Sequence, residues 1–227
     1  MFKQLLNALT STSTLDRAFE DLNQMLEHGA WMFEQANQVL HSRIPAEDVR
    51  DAIASCDKEI NELERSIRRK VLRYLTVNPG YDVAACLALM SVAKDAERIG
   101  DYCKNVFDVG RFYSKGFNVP KYQKRLDNIY DRTTSLFDLV QQSCRQSSEK
   151  PARQALDAVT EIARECDQVI ADLFRDEDRM EMHEAVAYSL LARHYKRVAA
   201  HLSNIATAML GQFEDLDFYP DPGADDR

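Results

Sequence analysis

Glu97-Arg98-Ile99-Gly100-Asp101-Tyr102-Cys103-Lys104-Asn105-Val106 has a counterpart about 100 residues further on, Lys196-Arg197-Val198-Ala199-Ala200-His201-Leu202-Ser203-Asn204-Ile205. Both read arginine, β-branched residue, small residue, four residues, asparagine, β-branched residue. A second echo precedes each. Cys56-Asp57-Lys58-Glu59-Ile60-Asn61-Glu62-Leu63 matches Cys166-Asp167-Gln168-Val169-Ile170-Ala171-Asp172-Leu173. Two echoes in the same order predict a duplicated unit. A period this long is a domain duplication, not a short solenoid repeat.

Working outward from the echoes, six segments carry apolar residues at steps of three and four. The first seam runs Leu15, Phe19, Leu22, Leu26, Gly29, Phe33, Ala36, Leu40, with Ser13 or Thr14 placed to cap it. Pro45 opens the second helix, where a missing N–H costs nothing. Its seam is Ile53, Cys56, Ile60, Leu63, Ile67, Val71, Tyr74, and Asn78-Pro79-Gly80 ends it. The third carries Cys86, Leu89, Ala93, Ala96, Ile99, Cys103 and Val106 and is expected to reach about Gly116. The fourth reads Tyr122, Leu126, Ile129, Thr133, Leu136, Val140, Cys144, before a polar link over 146–150. The fifth includes Leu156, Val159, Ile162, Cys166, Ile170 and Leu173, and the charged stretch 175–184 holds the next turn. The sixth includes Val186, Leu191, Val198, Leu202, Ile205 and Met209, with Gly211 as its stop.

One-sided seams on helices this long must pack side by side. The expected fold is therefore all-α: two tandem long three-helix bundles, six helices in spectrin-like up-down packing. The boundaries read as a lead-in over 1–13, a first repeat over 14–118, a second over 119–212, and an acidic, disordered tail over 213–227.

Composition agrees. Only 7 Gly and 6 Pro in 227 residues leave few turns and hence long elements. A formal charge of −8 argues against nucleic acid, which wants a basic face, and permits cations or a basic protein partner. Five cysteines without a C-x-x-C spacing read as small buried apolar residues in a reducing compartment. Residues 1–9 lack a signal-peptide core, and no stretch approaches the ~18 apolar residues of a spanning helix. A cytoplasmic protein is expected, peripheral to a membrane only through partners.

For chemistry, Glu97 and Asp101 are the first candidates. Four apart, they stand one turn apart on a helix face, where two carboxylates can share a hard cation. Spacing alone does not mark a metal. With 37 acidic residues such pairs recur, as at Asp127/Asp131 and Asp172/Asp176, and Lys94 and Arg98 flank Glu97 as in a salt-bridged, solvated face. No histidine has a glutamate three residues before it, as ferritin-like di-iron bundles require. No nucleophile elbow or glycine-rich phosphate loop is present. The residues carry no enzyme signal. Among Trp31, Met32 and Phe33, which cannot all face one side, core packing is the ordinary account and one exposed aromatic a candidate anchor.

The stretch Asp95-Ala96-Glu97-Arg98-Ile99-Gly100-Asp101, followed by Asn105-Val106, resembles the signature of the PhoU family of phosphate-signalling regulators. Residues 57–64 are similar to the acidic pattern on that family's preceding helix, and the resemblance covers about Thr14 to Gly211. It implies two tandem three-helix repeats. It implies multinuclear iron or zinc clusters on acid-x-x-x-Asp motifs, with magnesium and nickel also open. Glu97 and Asp101 are then the metal ligands, with Asp57 and Glu62 as further candidates, and Arg98, Asn105, Arg197 and Asn204 are motif residues.

The second copy departs from the pattern, with Lys196 and Ala200 where the family has acids. One metal site in the first repeat is therefore expected. His194 and His201 stand near the lost acids but read more simply as exposed polar residues on a helix. The partners implied are membrane phosphate transporter subunits, a sensor histidine kinase, or both, with a homodimer open. The alternatives are a metal-dependent enzyme of phosphoester chemistry and a metal-free helical interaction domain.

Overall fold

Apolar residues on one stripe and charges on the other make each of the six segments a helix that buries one face. The computed structural model describes residues 14–175 and 180–216. The helices are α1 (Thr14–Leu40), α2 (Ala46–Val77), α3 (Val83–Phe112), α4 (Pro120–Gln146), α5 (Glu149–Arg175) and α6 (Met182–Met209). A short 3-10 turn, Phe213–Asp215, follows. Each helix holds 27 to 32 residues and so spans roughly 40–48 Å.

α1, α2 and α3 pack on one another, as do α4, α5 and α6, and the two sets meet chiefly along α3 and α6, with α1 also touching α4. A single apolar core runs through all six helices. Phe33 of α1 lies at its centre. Its ring is 5.6 Å from Tyr130 and 5.6 Å from Phe137 of α4, and 5.4 Å from Tyr195 of α6. Tyr195 hydroxyl donates to Asn37 Oδ1, and Asn37 Nδ2 donates to the Phe33 carbonyl at 2.8 Å, so the polar groups buried beside Phe33 are paired. Of the three bulky neighbours, Met32 and Phe33 are buried and Trp31 is 39% exposed.

Several boundaries differ from the sequence reading. α3 stops at Phe112, short of Gly116. Tyr113 turns out of the helix and its hydroxyl donates to the Gly116 carbonyl at 3.1 Å. The link after α4 shrinks to Ser147 and Ser148, and Pro151 lies inside the first turn of α5, where proline is tolerated. Val186, assigned to the sixth seam, is 51% exposed. The buried stripe of α6 runs back from Leu191 through Tyr188 and Ala187 to Glu184, and Val186 falls beside it. All five cysteines are free; four are buried and Cys144 is half-buried. Burial pushes their thiols up, to about 11 at Cys56 and Cys86 and to about 12 at Cys144 and Cys166. The capping role for Ser13, the part of the predicted turn at 176–179, the lead-in over 1–13 and the tail beyond Leu216 lie outside the described residues.

The buried Glu184 holds the connection between the two bundles. Its carboxylate accepts from the backbone N–H groups of Asn118 and Val119. Tyr188 packs over the same connection, 4.7 Å from the Phe117 ring, and its hydroxyl reaches the Val119 carbonyl.

At Gly110 the α3 backbone comes up against the end of α1. A Cβ there would lie 3.0 Å from the Leu40 backbone N and Cα. Backbone cannot swing aside as a side chain can, so Gly110→Ala must push the helices apart. We expect a loss of about 1–3 kcal/mol, read from urea unfolding.

Candidate functional site

α3 carries two polar faces with different tasks. Its outward face holds the predicted carboxylates. Lys94 Nζ lies 2.6 Å from Glu97 Oε2. Arg98 reaches Asp101 at 3.1 Å and lies 3.9 Å from Glu97. Lys104 Nζ contacts Asp101 Oδ1 at 3.0 Å and, across the helix gap, Asp57 Oδ1 of α2 at 2.8 Å. Gly100 permits that approach, since a Cβ there would lie 3.1 Å from the Ile60 side chain. Burial works against the Lys104 ammonium, but its hydrogen bonds to Asp57 and Asp101 outweigh it and hold its pKa above 10.5.

The predicted ligands are therefore sorted. Asp57 and Asp101 converge on one point. Glu97 is alongside but engaged by Lys94 and Arg98. Glu62 is elsewhere on α2, paired with Arg65. Among the described residues no group of three or more His, Cys, Asp and Glu side chains is arranged to hold a metal. A multinuclear cluster does not fit this arrangement. The Lys104 ammonium stands between Asp57 and Asp101.

The inward face of α3 meets α6. Asp95 is 6% exposed, and its Oδ1 lies 2.8 Å from His201 Nδ1 and 2.8 Å from Asn204 Nδ2. Tyr102 stacks on His201, ring centres 5.6 Å apart, and its hydroxyl accepts from Arg197 Nε at 3.1 Å. The expectation of an exposed His201 is thus overturned: it is 9% exposed and wedged between the bundles. The His194 ring centre lies 6.0 Å from that of Tyr102, and burial, then Arg193, lower its pKa from 6.5. Both histidines keep one buried ring nitrogen without a protein partner, Nδ1 of His194 and Nε2 of His201.

The four motif residues also separate. Arg98 serves the outward carboxylates, Arg197 and Asn204 serve the interface, and Asn105 is exposed at the rim of a groove. That groove, about 520 Å³, lies between the end of α3 and the start of α6 and is lined by Phe112, Met182, Val186 and Leu190 among others. Sequence reasoning missed Asp95, Tyr102 and Lys104. Asp95 stood inside the quoted motif, and its only signal was an acid adjoining an apolar seam.

Residues 22–109, which span most of α1 through α3, match the PhoU domain. The phosphate-specific transport system accessory protein PhoU homolog of Zymomonas mobilis is 28% identical over 101 residues, 42% of this chain and 42% of that protein. The homolog of the same name from Synechocystis is 26% identical over 160 residues, 68% of this chain and 70% of that one. The match thus spans about two-fifths of the first relative's length. The crystal structure of the phosphate transport system regulatory protein PhoU from Streptococcus pneumoniae superposes with a TM-score of 0.72 at 16% identity, covering 89% of this chain and 98% of that one. The chain thus matches the PhoU domain over residues 22–109 and shares the fold of that solved structure over most of its length.

The buried contact of α3 with α6 and the exposed ion pair on α2 should differ sharply in energetic weight. Asp95→Ala strands the His201 and Asn204 donors inside the interface and should cost about 2–3 kcal/mol in urea unfolding. Glu62→Ala removes one exposed ion pair and should stay within about 0.5 kcal/mol by the same measurement.

Proposed function

We propose that this protein is a cytoplasmic regulator of phosphate uptake and phosphate-responsive signalling. It acts by stoichiometric binding to subunits of a membrane phosphate transporter, to a sensor histidine kinase, or to both, and not by turnover. The observation that carries this reading is the PhoU domain match over the bundle that bears the outward face of α3. Relatives named as accessory proteins of a phosphate-specific transport system support the same reading. Among the described residues no helix is long and apolar enough to cross a membrane, so contact with a transporter would run through its exposed cytoplasmic parts.

The contact surface is the ladder Lys94, Glu97, Arg98, Asp101, Lys104 with Asp57 beside it. Alternating charges along a helix suit a polar, salt-sensitive association whose partner is chosen by complementarity. Asp57 and Asp101 are the residues that would hold a divalent cation there. Such an ion would add positive charge able to attract phosphate to this face.

Affinity capture of the tagged full chain from cells grown at high and at low phosphate tests this. Transporter or kinase subunits should be recovered, and Glu97→Lys with Asp101→Lys should lower that recovery by at least about tenfold, since reversing two charges removes the complementarity that selects the partner. Recovery of neither class under either condition would overturn the reading.

A further inference from the structure

The last turns of α2 reverse the charge of the rest of the chain. From Arg65 to Ala93 there are five basic residues, Arg65, Arg68, Arg69, Lys70 and Arg73, against one acid, Asp82, in a chain whose formal charge is −8. Arg65 pairs with Glu62, and Arg68 with Glu64 at 2.6 Å. Lys70 turns to Asp21 of α1 at 2.7 Å. Asp82 accepts from the Tyr74 hydroxyl. Arg69 and Arg73 are exposed, and among the described residues no ion pair engages either. With Arg65 they form a row at steps of four along the outer side of α2.

The same end of the first bundle exposes apolar side chains. Leu72 is 69% exposed, Tyr81 71% and Leu87 63%, with Val77 and Val83 next to them in the chain. Antiparallel packing brings these together. Asp57 reaches Lys104 and Ile60 lies against Gly100, so by the same pairing Leu72 of α2 comes level with Leu87 of α3. Neither belongs to the buried stripe of its helix. Tyr81 follows Gly80 in the turn between the helices, and a Cβ built at Gly80 would meet nothing within 4 Å, so the turn projects into open space.

A solvated face carries mixed charges and few large apolar groups, and a core face carries no free guanidinium groups. Apolar side chains set among unpaired basic ones suit an anionic bilayer. There the apolar groups enter the acyl boundary and the guanidinium groups stay with the headgroup phosphates. Arginine stems can lie along that boundary while their heads stay wet. Tyrosine, with an apolar ring and a polar hydroxyl, fits it too. An acidic protein helix would match the charges, but it needs a groove to lie in, and this surface is a helix flank with a projecting turn.

We infer that the end of α2, the turn after it and the start of α3 form a docking surface for an anionic lipid bilayer. The charged ladder of α3 begins at Lys94, about two turns beyond Leu87, so docking would hold that ladder near the membrane. This goes beyond the regulatory reading and does not depend on it, so failed capture of a partner and failed lipid binding are separate results.

Co-sedimentation of the full chain with vesicles tests it. Vesicles of phosphatidylcholine with phosphatidylglycerol should carry the protein down, vesicles of phosphatidylcholine alone should not, and added salt should release it. Arg69→Gln with Arg73→Gln should weaken binding about thirtyfold, the effect of two basic residues at an anionic surface. Leu72→Ser with Leu87→Ser should weaken it at least about tenfold. Lys150→Gln with Arg153→Gln, on the second bundle, should leave it unchanged. All these side chains are exposed, and circular dichroism confirms that the variants keep their helices. In a Trp31→Phe background, Tyr81→Trp emission should shift to the blue on the anionic vesicles. Inorganic phosphate at matched ionic strength should not compete. Equal binding to both vesicle types, binding to neither, or an unshifted tryptophan would overturn the proposal. Competition by phosphate would also overturn it and mark a site for the free anion. Absent vesicle binding, a dimer in analytical ultracentrifugation that Leu72→Ser with Leu87→Ser breaks would assign the surface to a second copy. Loss of captured transporter or kinase subunits in Arg69→Gln with Arg73→Gln would instead assign it to an acidic protein partner.

Discussion

The buried carboxylate of Asp95 ties the two bundles together. A charge this far from water must be paired, and both of its partners, His201 and Asn204, come from the other bundle. Apolar seams tolerate sliding, since one leucine contact resembles the next. A carboxylate with two donors does not. The contact therefore sets how α3 lies along α6, and Tyr102 with Arg197 continues the same register one to two turns on. Everything outward on α3 inherits its direction from that registration.

The consequence is a division of labour on one helix. The inward stripe of α3 is neutral apart from Asp95, and the outward stripe alternates acids and bases. Asp57 of α2 joins the outward stripe because Gly100 lets α2 approach closely. The face that resembles the family signature is thus built by two helices of one bundle and held in place by the other bundle. The second repeat keeps the interface residues Arg197 and Asn204 while its outward acids are gone. The same two motif positions thus serve the interface in the second repeat but not in the first, where Arg98 pairs with Asp101 and Asn105 is exposed.

Joining two bundles also needs a defined connection, and Glu184 supplies it. A buried carboxylate accepting two backbone N–H groups satisfies donors that the short loop before α4 cannot pair within itself. The aromatic packing of Phe117, Tyr122 and Tyr188 closes over it. The groove lined by Phe112, Met182, Val186 and Leu190 opens beside this connection, where α3 has ended and α6 has just begun.

Helix number, order and most buried positions were legible in the chain, because a period of 3.6 residues writes itself into any helix that buries one face. The six seams, Pro45 as the opening of α2, and Gly211 after α6 in a left-handed turn at φ +75° were all readable. So was the loss of the acid pair in the second repeat. Pairings between distant residues were not. The sequence marked Glu97 and Asp101 as neighbours four apart, but the carboxylates that converge are Asp101 and Asp57, which are separated by a turn and most of two helices. It marked His201 as a surface residue, and the packing of α3 on α6 buried it. Local periodicity is a property of each helix alone and so is carried by sequence. Which charge faces which depends on the rotation and register of one helix against another, and only the packed tertiary structure decides that.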